Sequence, residues 1–190
     1  MEETKRLIKD CWEKEEPFCA SLCPFHYDIR EFTLRLKRGS FSAAYRIFAN
    51  GVGFPGIVSA LCGQPCKDVC PRKETDAAVD LLRLERAALE YAADTKPHSY
   101  NLPLKEAKIA VVGAGLSGLG CALRLCNKKY RVTVFEQSER LGGQLWQTCQ
   151  KLAPEIFLAD IERQFMYEEY ELRFDIRKEN LRRKFLSHLP

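Results

Sequence analysis

Six of the nine cysteines in this 190-residue chain lie in its first 70 residues, at Cys11, Cys19, Cys23, Cys62, Cys66 and Cys70. Five of them form two runs, Cys19-Ala-Ser-Leu-Cys23-Pro24 and Cys62-Gly-Gln-Pro-Cys66-Lys-Asp-Val-Cys70-Pro71. In a reducing compartment, clustered thiols are more often metal ligands or redox groups than disulfides. CxxxC spacings that end in Cys-Pro suit thiolates converging on a cubane iron–sulfur cluster. Zinc is the competing reading, because four-cysteine zinc sites are common. Zinc knuckles more usually use CxxC turns, however, and the chain has no CxxC. Cys121, Cys126 and Cys149 stand apart and read as core or spare thiols.

A second group of residues is suited to phosphate. Gly113-Ala114-Gly115-Leu116-Ser117-Gly118 is a GxGxxG turn. Its glycines serve a tight turn, close backbone approach to a pyrophosphate, and close packing of helix on strand. The helix start then offers free N–H groups and a partial positive charge. Eighteen residues after Gly118 stands Glu136, placed to accept the ribose hydroxyls of an adenine dinucleotide. Six residues on, Gly142-Gly143 lets the backbone approach a ligand again. The candidate cofactor-binding residues are Gly113, Gly115, Leu116, Ser117, Gly118, Glu136 and Gly143.

The elements that must hold these residues differ between the two halves. Before the proline-bearing linker Lys96–Pro103 the periodicity is helical. Asp28 caps a helix through Leu36 that stops at Gly39. Another helix follows Ser40, and a third runs from about Ala77 to Asp94 with Leu81, Leu84, Ala88, Tyr91 and Ala92 on one face. After the linker, Lys108–Val112 and Arg131–Phe135 are β-branched strand runs that flank a helix from Gly115 to Asn127. Pro154 starts a further helix, and residues 170–174 form a third strand. Strand, helix and strand joined this tightly make a parallel βαβ unit. The fold class is therefore an α-helical cysteine-rich domain over residues 1–98, followed by a partial Rossmann-like α/β domain over 104–190.

Composition narrows the function classes. The chain is 46% hydrophobic and 29% charged with a net charge of +4, which is ordinary globular composition. Residues 1–98 carry 15 basic and 15 acidic side chains and residues 99–190 carry 15 and 11, so the excess lies in the second half. No Lys/Arg stripe with interleaved aromatics points to nucleic acid. No apolar run approaches the roughly 20 residues of a membrane span, and the charged start reads as no secretory signal, so the expected location is cytoplasmic. His26, His98 and His188 are isolated, and no side chain is arranged for acid–base catalysis, so any redox chemistry belongs to cofactors.

The order of the motifs resembles a known architecture. Cys11, Cys19 and Cys23-Pro24, then Gly39 and Phe41, Phe54-Pro55, Cys62, Cys66 and Cys70, Leu84-Glu85, and Val112 to Gly115 look like the amino-terminal part of the glutamate synthase small-subunit family. That family includes related flavoproteins and the amino-terminal region of dihydropyrimidine dehydrogenase. The turn, Glu136 and Gly142-Gly143 resemble the FAD end of glutathione-reductase-like flavoproteins. The resemblance implies two [4Fe–4S] clusters beside an FAD- and NAD(P)H-binding flavoprotein, with electrons passing among them and on to an acceptor protein or subunit. One cluster would use Cys23, Cys62, Cys66 and Glu85; the other would use Cys11, Cys19, Cys70 and position 14, where this chain has Lys14 in place of cysteine. The helical face that Glu85 shares with Leu81, Ala88 and Ala92 turns it inward, where a carboxylate needs a metal or a partner such as Arg30 or Arg35. No second glycine turn follows residue 145, so the expectation is the amino-terminal portion of such an oxidoreductase, with FAD bound by the full-length protein. The alternatives are a non-enzymatic electron-transfer or docking module and, more weakly, a zinc-stabilised interaction domain.

Overall fold

In a computed structural model of the chain, the described residues are 2–13, 16–148 and 153–176. Lys14, Cys149 and His188 lie outside them. The chain divides into two units, Met1–Lys96 and Pro97–Pro190.

The first unit is helical: α1 (Glu2–Glu13), α2 (Phe18–Leu22), α3 (Ile29–Lys37), α4 (Phe41–Val52), α5 (Pro55–Leu61) and α6 (Leu81–Tyr91), with 3₁₀ turns at Pro65–Lys67 and Pro71–Glu74. Local chemistry sets several boundaries. The Asp28 carboxylate accepts the Glu31 N–H at 2.9 Å and starts α3. The helix closes with Gly39 N–H on the Leu36 carbonyl and Ser40 N–H on the Arg35 carbonyl, the paired bonds of a Schellman stop. Pro55 opens α5 at its first position, where no N–H is missed. The last helix begins at Leu81, four residues later than the apolar periodicity suggests. Asp80 caps it by accepting the Arg83 N–H, while Asp76 is held back by Arg72. A side-chain cap outweighs a weak apolar repeat.

Helices α3, α4 and α6 bury a core of Ile29, Phe32, Ala44, Tyr45, Phe48, Ala49, Leu81 and Ala88. Tyr27 joins it just before α3, with its ring edge-on to Phe32 at 5.6 Å and to Phe48 at 5.4 Å. Such aromatic pairs add to the stability that their buried area already provides.

The second unit contains β1 (Lys108–Val112), α7 (Leu116–Asn127), β2 (Arg131–Phe135), α8 (Leu145–Thr148), α9 (Pro154–Gln164) and β3 (Tyr170–Arg173). The strands form a parallel sheet in the order β1-β2-β3, with Lys108 opposite Arg131 and Val132 opposite Tyr170. α7 buries Leu119, Ala122, Leu123 and Cys126, the face read from the sequence. α9 buries Phe157 and Ile161, and Phe165 caps its end. A helical unit followed by a small parallel α/β sheet is the expected fold class. No helix of the described residues is long and apolar enough to cross a membrane.

Candidate functional site

The cysteines sit where helices end. Cys11 lies in the last turn of α1 and Cys19 in α2. Cys23 and Cys62 are the C-terminal caps of α2 and α5, and Cys70 precedes the second 3₁₀ turn. These three share an extended backbone, with ψ of 119°, 121° and 116°. At Cys23 and Cys70 the following proline imposes it. None of the described cysteines is in a disulfide.

Cys11, Cys19, Cys66 and Cys70 line one cavity of about 270 Å³, walled by Ile8, Ile29, Val79 and Leu81. Burial pushes the Cys19 thiol up to about 12, and the charges of Cys11, Cys66 and Cys70 add to the shift. Burial likewise raises Cys66, with further contributions from Cys62, Glu85 and Cys23. Cys66 thus adjoins both of the ligand groups that the resemblance implies. On one side are Cys11, Cys19 and Cys70; on the other are Cys23, Cys62 and Glu85. The Arg30 guanidinium ties α3 to α1 by donating to the Cys11 carbonyl at 3.0 Å, and the Gln64 N–H points at Cys62 Sγ at 3.4 Å.

This donor set fits an iron–sulfur cluster. Crowded buried thiolates repel one another unless a positively charged core is shared among them. The four thiols spread around the cavity are placed as donors to a multi-atom cluster would be.

Glu85 is buried, at 6% exposure, as its helical face implies. Its partner is neither of the arginines considered from the sequence. The Tyr27 hydroxyl donates to Glu85 Oε1 at 2.7 Å. Arg30 is directed to Cys11, and Arg35 pairs with Glu31 one turn away on its own helix. Burial raises the Glu85 carboxyl, while the Tyr27 hydrogen bond and the Arg86 charge partly offset that rise. Tyr27 carried no sequence signal, because it lies 58 residues from Glu85 and in no motif.

The glycine turn is built as its spacing requires. Gly113 has φ of +96°, and its N–H donates to the Phe135 carbonyl at 2.7 Å, locking the turn to the end of β2. A Cβ on Gly118 would lie 1.9 Å from the Gly113 carbonyl oxygen, so helix and turn are in direct backbone contact. A Cβ on Gly115, the residue that caps α7, would meet nothing within 4 Å. That space, at a helix start with free N–H groups, is where a phosphate would be cradled. Gly142 and Gly143 close over the same turn. The Gly142 N–H donates to the Ala114 carbonyl at 2.7 Å, and a Cβ on Gly143 would lie 3.0 Å from Gly115 Cα. Leu116 and Ser117 form the first turn of α7, Leu116 half-buried and Ser117 exposed.

Glu136 follows β2 and is 7% exposed. Its Oε2 accepts the Ala114 N–H at 2.6 Å, and its Oε1 accepts the Ser138 N–H at 2.9 Å and hydroxyl at 2.8 Å. Burial alone would raise this carboxyl, but the bonds from Ala114 and Ser138 outweigh it and hold the group below the usual range. The carboxylate therefore pins the glycine turn from inside, a role the sequence did not indicate. His26 and His98 are exposed. Cys126 is core and Cys121 is exposed.

Comparison with known proteins places these two sites in context. Residues 1–97 match the family model described as dihydropyrimidine dehydrogenase domain II, 4Fe–4S cluster. Residues 111–148 match an NAD(P)-binding Rossmann-like domain. The chain is 33% identical over 128 residues to the NADPH-Fe(3+) oxidoreductase subunit beta of Geobacter sulfurreducens, covering 66% of this chain and 19% of that protein. It is 30% identical over 155 residues to the glutamate synthase [NADPH] small chain of Bacillus subtilis, covering 76% and 31%. It is 26% identical over 150 residues to the NADP(+)-dependent formate dehydrogenase subunit beta of Moorella thermoacetica, covering 67% and 21%. The matched region thus spans between about a fifth and a third of these relatives.

Proposed function

The chain belongs to the family of dihydropyrimidine dehydrogenase domain II, 4Fe–4S cluster, and from that premise we propose that it carries the amino-terminal portion of an FAD- and [4Fe–4S]-dependent NAD(P)H oxidoreductase. Cys23, Cys62, Cys66 and Glu85 hold one cluster; Cys11, Cys19 and Cys70 supply three thiolates to another. Bound clusters and flavin would supply one- and two-electron transfer between pyridine nucleotide and an acceptor protein or subunit. The observation that carries the reading is the set of four thiols, Cys11, Cys19, Cys66 and Cys70, around one cavity, with the inward carboxylate of Glu85 near Cys66.

Each residue has a physical task. The helix caps and Cys-Pro steps fix the thiolates on short, extended backbone. The Gln64 N–H directed at Cys62 Sγ favours the charged sulfur. Ile8, Ile29, Val79 and Leu81 give the cavity an apolar wall. In the second unit Gly115 leaves the space, the start of α7 supplies N–H donors, and Gly142-Gly143 completes the cradle. That second glycine pair supports FAD as the dinucleotide held there. Cytoplasm, where thiols stay reduced, suits such a site.

Anaerobic reconstitution of the protein with iron and sulfide tests the proposal. The expected result is a broad visible absorption, about four irons and sulfides per occupied cluster, and a rhombic electron paramagnetic resonance signal on reduction. A colourless protein that takes up zinc stoichiometrically and no iron would overturn it.

A further inference from the structure

The buried bond between Tyr27 and Glu85 is unusual in its setting. Tyr27 is 4% exposed and sits in the aromatic core formed with Phe32 and Phe48. It is also clamped by the backbone of α4, because a Cβ on Gly51 would lie 2.3 Å from Tyr27 Cβ. The phenol therefore has a fixed position before any ligand arrives. From that position its O–H donates to Glu85 Oε1 at 2.7 Å. No hydrogen bond reaches Glu85 Oε2 among the described residues, and Cys23 and Cys66 lie near enough for charge interaction with this pair. A carboxylate left to itself could bind a metal through either oxygen or both; this one has one oxygen occupied.

We propose that Tyr27 is the positioning residue for Glu85, holding Oε1 so that the carboxylate offers Oε2 alone as a single-point ligand, and that its hydrogen bond draws electron density from that ligand. The inference rests on the reading of Glu85 as a cluster ligand. A carboxylate is a harder donor than thiolate and a weaker match for cluster iron. A rigid donor behind it orients the ligand and sets its basicity, as partners behind metal-binding side chains generally do. Hydrogen bonds to cluster ligands also raise the reduction potential, because the reduced cluster carries more negative charge. Tyr27 touches no metal in this account and acts only through Glu85.

The test uses Y27F, which keeps the ring and its packing and removes only the hydroxyl, in the reconstituted protein. Three readouts are made: iron and sulfide content, the rate of cluster loss in air, and the midpoint potential from a titration followed by electron paramagnetic resonance. Y27F is expected to shift the potential of the Glu85-associated cluster to more negative values and to speed its loss by about tenfold, the usual cost of removing a partner behind a metal ligand. The other cluster signal should not move. In an E85A background, Y27F should add nothing to the loss rate, since the two residues act as one unit. Global incorporation of 3-fluorotyrosine is the second measurement and stands even if Y27F does not fold. A stronger donor should shift the same potential to more positive values. Unchanged potential and loss rate in Y27F, or no shift with fluorotyrosine, overturns the positioning role. An additive effect of Y27F on E85A overturns it as well. If instead E85A leaves both cluster signals and the iron content as in wild type, the ligand assignment itself has failed, which is a different result.

Discussion

Gly115 and Gly118 stand three residues apart in one motif, yet the structure assigns them opposite consequences on substitution by alanine. At Gly118 the new Cβ would lie 1.9 Å from a backbone carbonyl oxygen, 1.5 Å inside the 3.4 Å of ordinary contact. That oxygen belongs to a turn fixed at both ends, by the Gly113 N–H on Phe135 and by the Ala114 N–H on Glu136. It has no flexible side chain to yield, so overpacking costs about 3 kcal/mol, the upper end of the usual range. Alanine's better helix propensity returns about 1 kcal/mol. The net loss is then about 2 kcal/mol, or a melting temperature lower by roughly 8–16 °C for a unit of this size. At Gly115 the new Cβ enters open space, and φ of −73° suits any residue. Replacing a glycine cap by alanine costs roughly 0.5–1 kcal/mol, and stiffening the unfolded chain returns about as much, so G115A should melt within about 4 °C of wild type. It fills the space meant for phosphate, so titration of the full-length protein with FAD should show affinity down by about tenfold or more, near 1.4 kcal/mol. Thermal melts, with hydrogen exchange of residues 108–135 to localise the change, separate the two. A G118A protein as stable as wild type would refute the packing argument, and unaltered FAD affinity in G115A would refute the cradle.

Other expectations follow from the same geometry. E136Q should destabilise the second unit by about 1.5–3 kcal/mol at pH 7 by weakening the bonds to Ala114 and Ser138. Because the folded-state carboxyl lies below its ordinary value of 4.5, the wild-type advantage exists above that value and fades as pH falls through the lower folded one, so melts at pH 7 and pH 3 should show a shrinking gap. K14C supplies the thiolate that the cluster pattern lacks; the Cys11, Cys19 and Cys70 cluster should then retain iron longer in air, and an unchanged loss rate counts against position 14 as the missing fourth ligand. C66S should perturb both cluster signals, because Cys66 adjoins both groups of ligands, whereas C23S should affect chiefly the cluster to which Cys23 is assigned.

Much was legible in the sequence because it is local. The Asp28 cap and Gly39 stop of α3, the strand–turn–helix around Gly113 and the apolar face of α7 each depend on residues within a few positions of one another. Hydrogen bonding and side-chain periodicity act at that range, so spacing alone predicts them. Glu85 could be read as inward because its face follows from a period of 3.6 residues. Its partner could not. Arg30 and Arg35 were chemically reasonable, but the chain path brings Tyr27 to the carboxylate and sends the arginines to Cys11 and Glu31. The same holds for Glu136, whose position at a strand end was visible while its bond to Ala114 needed β1 and β2 to pair in register. Tertiary structure alone also placed Gly143 on Gly115 and Cys66 between two groups of thiols. The Glu136–Ala114 and Tyr27–Glu85 pairings join residues 22 and 58 positions apart. No periodicity spans such distances, so side chains meet there only once the packed core has fixed which segments are neighbours.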